Sequence, residues 1–145
     1  MNKKMASTEN DSSKLIIKNV ELVKKNPETW KIISGPMGQY SYKLVGTKIS
    51  GIFNGHGLAG GTAYTLVSYK GGDKIVVLGT GMANVRGDLQ IINDLTEVGD
   101  PQVWTGDYTG HPAGYKIWLV PAANIAGEKL AWHPNLFLFE TSLAT

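Results

Sequence analysis

Apolar and polar positions alternate with a period of two in several short runs. Tyr40, Tyr42 and Leu44 fall on one side of a run whose other side carries Ser41 and Lys43. Tyr64 and Leu66 share a side, and Ile117 and Leu119 alternate with Lys116 and Trp118. A period of two places successive side chains on opposite faces of an extended strand. Strand-like runs are Leu15–Leu22, Thr29–Ile33, Gln39–Val45, Lys48–Phe53, Ala63–Tyr69, Lys74–Gly79, Asp88–Ile92, Gln102–Trp104, Tyr115–Val120 and Asn135–Glu140. Val, Ile, Tyr, Thr, Phe and Trp enrich many of them, as suits a pleated, half-buried surface. Gly, Pro, Asn and Asp interrupt the chain about every 8–12 residues, the rhythm of a sandwich or barrel. The pattern predicts an all-β fold: a single β-sandwich, immunoglobulin-like or jelly-roll-like, of about 8–10 strands. Two segments depart from it. Asn19–Asn26 fits two helical turns before Pro27, and Ala126–Trp132 fits one short helix before His133-Pro134. Near the end, Phe137 and Phe139 alternate with Leu136 and Leu138, so that strand is apolar on both faces. A central strand buried on both sides accounts for this, and so does an edge covered by a partner chain.

The turns carry their own information. Lys70-Gly71-Gly72-Asp73 separates two strong strands, and paired glycines suit a tight hairpin. Arg86-Gly87-Asp88 occupies a second hairpin position, between Met82–Val85 and Leu89–Ile92. In Leu58-Ala59-Gly60-Gly61-Thr62-Ala63-Tyr64, a Gly-rich turn leads into a strand through Thr-x-Tyr. This resembles the tyrosine corner of immunoglobulin-like and fibronectin-like sandwiches, where a Tyr hydroxyl bonds back to the chain at a crossover between sheets. The other reading of Tyr64 is a plain buried tyrosine.

The chain has 145 residues, 42% of them hydrophobic, which suits one domain with a real core. The division read from the pattern is a polar leader over 1–13, an N-terminal strand arm over 14–34 and a β-sandwich domain over 35–145. Fourteen basic against twelve acidic residues give a net charge of +2, too little to signal a polyanion partner. Cysteine is absent, which excludes disulfides, thiolate metal sites and cysteine nucleophiles. Met1-Asn2-Lys3-Lys4-Met5 resembles the charged head of a secretion signal, but polar residues follow where an apolar stretch is needed. No run approaches the ~20 apolar residues of a membrane-spanning helix.

Several segments together resemble a family. They are Phe53-Asn54-Gly55-His56-Gly57-Leu58 with the following Gly-Thr-x-Tyr-x-Leu, then Gly79-Thr80-Gly81 with Gly87-Asp88-Leu89. Lys116-Ile117-Trp118-Leu119-Val120, Ala131-Trp132-His133-Pro134 and Leu138-Phe139-Glu140 complete the set. Their order is similar to that of uncharacterised β-sandwich modules in secreted and cell-surface proteins of methanogenic archaea and some bacteria. The resemblance spans roughly residues 36–142. It implies an extracellular or cell-surface setting and supplies no catalytic residue. The chain departs from it by lacking a visible secretion signal and by carrying the extra arm over 14–34.

Candidate chemistry is sparse. His56, His111 and His133 lie in loops or before prolines, and no Gly-x-Ser-x-Gly elbow accompanies them, so no hydrolytic triad is read. No His-x-x-x-His or His-x-His pair marks a metal site and no cofactor is expected. Asp94, Glu97, Asp100 and Asp107, with Asn93, crowd one loop-rich region, where hard oxygen ligands suit Ca²⁺; a solvated acidic loop is the plainer reading. The glycines at 55, 57, 60 and 61 precede no helix and form no phosphate cradle. Arg86 and scattered lysines make no basic stripe, so no nucleic-acid partner is expected. Arg86-Gly87-Asp88 matches an integrin-ligand tripeptide, a match short enough to arise by chance. Trp104, Tyr108, His111 and Tyr115 form the candidate carbohydrate site, in a Gly- and Pro-rich stretch beside Asp100 and Asp107. An ordinary aromatic lid on the core would use the same residues.

The leading expectation is self-assembly without enzymatic activity. Leu15, Ile16, Ile17, Val20 and Leu22 lie in a segment of high strand propensity ahead of the module. Such a segment can add a strand to another copy's sheet edge, with main-chain hydrogen bonds supplying affinity. Repeated head to tail, that contact gives a ring or a filament of a homo-oligomeric structural or adhesive subunit. The competing reading makes the same residues the first strand of their own sheet. A carbohydrate-binding module is the alternative function, and an enzyme of unspecified chemistry the third.

Overall fold

The alternating runs fold into ten strands among the described residues, which are 15–100 and 115–141 of a computed structural model. In chain order these are β1 (Leu15–Val23), β2 (Gly38–Val45), β3 (Lys48–Gly55), β4 (Ala63–Gly71) and β5 (Lys74–Met82). Then follow β6 (Leu89–Glu97), β7 (Lys116–Pro121), β8 (Ile125–Ala126), β9 (Lys129–Leu130) and β10 (Phe139–Glu140). They make two five-stranded antiparallel sheets. The first has the order β10-β1-β2-β3-β6 and the second β7-β4-β5-β9-β8. The sheets pack face to face as an all-β sandwich. Tyr40, Tyr42, Ile49 and Phe53 of the first meet Leu66, Ile117 and Leu119 of the second in the main core.

One buried polar pair stands inside this core. The Tyr40 hydroxyl donates to Asn93 Oδ1 at 2.6 Å, and Asn93 Nδ2 donates to the Ile49 carbonyl at 3.0 Å. Burial pushes the Tyr40 phenol well above the usual tyrosine range. Its hydrogen therefore stays in place to make the bond.

The middle of the chain is a long hairpin folded across both sheets. β4 and β5 pair in the second sheet through the Gly71-Gly72 turn, as expected, while β3 and β6 pair in the first. Residues 56–62 and 83–88 carry the two legs over the corner, joined by Gly61 N–H to Ala83 O at 2.9 Å and Ala83 N–H to Thr62 O at 3.0 Å. At this corner the Ala59 N–H donates to the Tyr64 hydroxyl at 3.1 Å, so the expected tyrosine corner is present. Arg86-Gly87-Asp88 lies at the same corner. It is not the tip of a hairpin, because β5 and β6 belong to different sheets.

Both long sides of the sandwich are drawn together. On one, Gly79 and Gly81 let β5 approach β6: a Cβ at Gly79 would stand 2.6 Å from Ile91, and one at Gly81 2.8 Å from Leu89. On the other, Leu138 exchanges two main-chain hydrogen bonds with Leu119 of the second sheet, at 2.9 and 3.0 Å. The next two residues, Phe139 and Glu140, pair with Val23 and Leu22 of the first sheet.

Four expectations change. Leu15–Leu22, expected in the N-terminal arm, is a strand of its own chain's sheet: it pairs residue for residue with β2, from Leu15↔Val45 to Leu22↔Gly38. Asn19–Asn26 begins as part of that strand rather than as helix, because Val20 and Leu22 alternate into the core. Thr29–Ile33 forms a loop rather than a strand, tied back to the residues after β1 by an isolated Ile32–Lys25 bridge and by the Ile33 N–H donating to Lys24 O at 3.0 Å. Ala126–Trp132 is a small hairpin, β8–β9, turned by Gly127 at φ 65°. That angle suits glycine and breaks a right-handed helix.

Candidate functional site

The second sheet has an unusual outer face. Along β4 and β7 the residues pointing away from the main core are Val67, Tyr69, Trp118 and Val120, all buried. Beneath the covering segments they join Ile75, Leu130, Phe137 and Phe139 in a second, aromatic-rich core. The C-terminal segment thus feeds both cores: Leu138 faces the main one, while Phe137 and Phe139 face the other. This answers the two-sided apolar pattern without a partner chain. Trp118 stacks on Tyr69 at 4.0 Å between centroids and meets Phe139 edge-on at 4.8 Å.

A charged group lies within this aromatic layer. Glu140 accepts from Trp118 Nε1 at 2.9 Å, with Lys25 Nζ 3.7 Å from its other oxygen. Burial pushes its carboxyl up to about 7, against the opposing pull of Lys25, the Trp118 hydrogen bond and Lys116. Burial also lowers the Lys116 ammonium.

Two tryptophans cap the layer. Trp30 and Trp132 are near parallel, 20° apart, with ring centroids separated by 6.4 Å. Trp132 is 51% exposed. Trp30 has φ 63°, the only non-glycine positive φ among the described residues. A bulky side chain is a genuine outlier in that conformation. Asn26 imposes it. Its side-chain oxygen accepts the N–H of Glu28 (2.8 Å) and of Thr29 (3.1 Å), its carbonyl accepts the Trp30 N–H (2.7 Å), and its own N–H donates to Lys31 O (2.8 Å).

The first sheet is different outside. Ile17, Ile52 and Ile92 stand exposed on β1, β3 and β6 at 70%, 41% and 64%. They border a shallow hollow of about 540 Å³ that Lys43 and Asp94 also line. Register places Asn19, Ser41, Ile52 and Ile92 in one row across four strands.

No family model, characterised protein or solved structure matches the chain.

The residues singled out from sequence disperse. Of the proposed assembly arm, Val20 and Leu22 are buried in their own core and Ile17 faces outward; Leu15 and Ile16 are paired to β2 through the backbone. Of the proposed sugar site, Trp104, Tyr108 and His111 lie outside the described residues. Tyr115 is corrected: it is a core residue at 2% exposure, its hydroxyl donating to Gly99 O at 2.8 Å. Among the Ca²⁺ candidates, Asp107 also lies outside. Asp94, Glu97 and Asp100 do not converge, since no group of three acidic or imidazole side chains among the described residues is placed to hold a metal. Glu97 instead fastens its own loop, accepting the Gly99 N–H at 3.0 Å, and hydrogen bonds from Thr47 and Gly99 hold its carboxyl below the usual range. His56 and His133 are exposed, and neither meets a carboxylate among the described residues. Among those residues no helix is long and apolar enough to cross a membrane. Sequence reasoning passed over Trp30 and Trp132. Both lie outside period-two strands, and only the loop at Asn26 brings them side by side.

Proposed function

We propose that the chain is a non-enzymatic structural or adhesive module that pairs with a second copy of itself through the outer face of its first sheet. The observation that carries this is the set of exposed isoleucines, Ile17, Ile52 and Ile92, around one hollow. Single exposed apolar residues are normal, whereas contiguous ones mark contact surfaces. The hollow holds one cation, Lys43, and one anion, Asp94. Turned about a two-fold axis, such a face is self-complementary: Lys43 of each copy meets Asp94 of the other. Donation of β1 to a neighbour is a poorer route, because pairing with β2 already engages that strand. The cell-surface or extracellular setting draws its support from the sequence resemblance.

Light scattering on a sizing column, run across protein concentrations, tests the reading. A dimer is expected, with Ile52→Asp and Lys43→Asp each shifting it to monomer. The exchange Lys43→Asp with Asp94→Lys restores pairing. A parent protein that stays monomeric at every concentration sinks the proposal.

A further inference from the structure

The Trp30–Trp132 pair lies on the other side of the molecule and is independent of that pairing face. We infer that it is a binding platform for a pyranose glycan. Three observations meet there. A lid over an aromatic core has no need of strain, yet Trp30 is held at φ 63° by four hydrogen bonds through Asn26. Strained backbone concentrates where a side chain must be presented in a fixed direction. Trp132, though bordered by Trp118, Phe137 and Phe139, remains half exposed. The two indoles lie near parallel, 20° apart with ring centroids 6.4 Å apart, and so form one aromatic pair of which Trp132 is the exposed member.

The surroundings select the ligand. The Lys25 ammonium already stands 5.8 Å from the Trp30 ring centroid, so a cationic guest meets a like charge. Nucleobases also stack on indoles, but they bring phosphates that need free cations. Lys24 is engaged with Asn135 O at 3.0 Å and Lys25 with Glu140 at 3.7 Å. A sugar ring needs neither. Its C–H face lies on the indole while its rim hydroxyls find polar partners. Glu28 and His133, both exposed, are the polar chain neighbours of Trp30 and Trp132. Because Trp30 is fixed in advance, binding orders little of the protein.

The test uses the full chain titrated with cellohexaose, chitohexaose, mannohexaose, hexagalacturonate and, as the nucleic-acid arm, oligo-thymidylate, read by calorimetry and tryptophan fluorescence. At least one hexasaccharide is expected to bind and change the indole emission. Trp132→Ala should weaken that binding roughly tenfold or more, the loss of about one stacked ring. Trp132→Phe should retain part of it, which separates loss of the platform from loss of the fold. Ile52→Asp should leave it unchanged, whatever its effect on pairing. Failure of all four sugars, equal affinity in Trp132→Ala, or binding of oligo-thymidylate alone would overturn the inference.

Discussion

The outer faces of the two sheets divide the molecule more sharply than its sequence halves do. On the second sheet, Val67, Tyr69, Trp118 and Val120 are sealed under Phe137, Phe139 and the two capping tryptophans. On the first, Ser41 and Lys43 alternate with core tyrosines in the ordinary way, and Ile17, Ile52 and Ile92 face solvent uncovered. A β-sandwich needs only its inner faces to be apolar. The second sheet goes further and builds a core on its outer side, leaving indole at its surface. The first leaves aliphatic side chains bare. The comparison places the second core on the covered face and leaves the open one to the pairing proposed above.

The largest effect that would break this division is expected at Trp118. Trp118→Ala removes the centre of the covered layer and the hydrogen bond to Glu140. It should destabilise the domain by about 3–5 kcal/mol in a denaturant titration. A loss below about 1 kcal/mol would mean the layer is only a veneer.

Next comes Glu140. Its carboxyl is raised from an ordinary value near 4.5 to about 7, so the folded state binds the proton more tightly than the unfolded chain. The associated stability is fully present below about pH 4.5 and is lost as pH rises through about 7. Over that window the change is roughly 3 kcal/mol. Denaturation midpoints from pH 4 to 8 should fall in the parent, and Glu140→Gln should flatten the slope. An unchanged slope in the variant assigns the effect elsewhere.

Tyr64→Phe, which leaves the Ala59 N–H without its acceptor at the corner, should cost about 1 kcal/mol by the same titration. Smallest of all, Ile92→Thr on the open face should move stability by no more than about 0.5 kcal/mol. It should still weaken pairing of the two copies on a sizing column. A large stability loss there would show that the isoleucines support the fold rather than a partner.

The sequence made the framework readable where side-chain period and burial agree. Tyr40, Tyr42 and Leu44 alternate against Ser41 and Lys43, and the sheet places them accordingly. Tyr64 was readable because a corner imposes a local spacing, with the glycines just ahead of the ring. β8 and β9 were not. Each is two residues long, too short for a period, and Gly127 alone decides the turn. The role of residues 15–22 was undecided for a different reason: strand propensity says that a segment pairs, never with which copy. Trp30 and Trp132 were invisible as a pair, since their nearness depends on a loop conformation that Asn26 imposes and no spacing records.

The crossing made by Leu138, Phe139 and Glu140 has a consequence for biosynthesis. These residues tie the earliest described strand to the second sheet, so contacts far apart in the chain must form together. Folds dominated by such distant contacts form slowly and expose unfinished surfaces meanwhile. A nascent chain not yet extended past Glu140 lacks the side chains that fill the aromatic layer. Everything up to that residue must therefore leave the exit tunnel before the domain can close, which makes the tunnel, and any chaperone waiting beyond it, part of how this fold is completed.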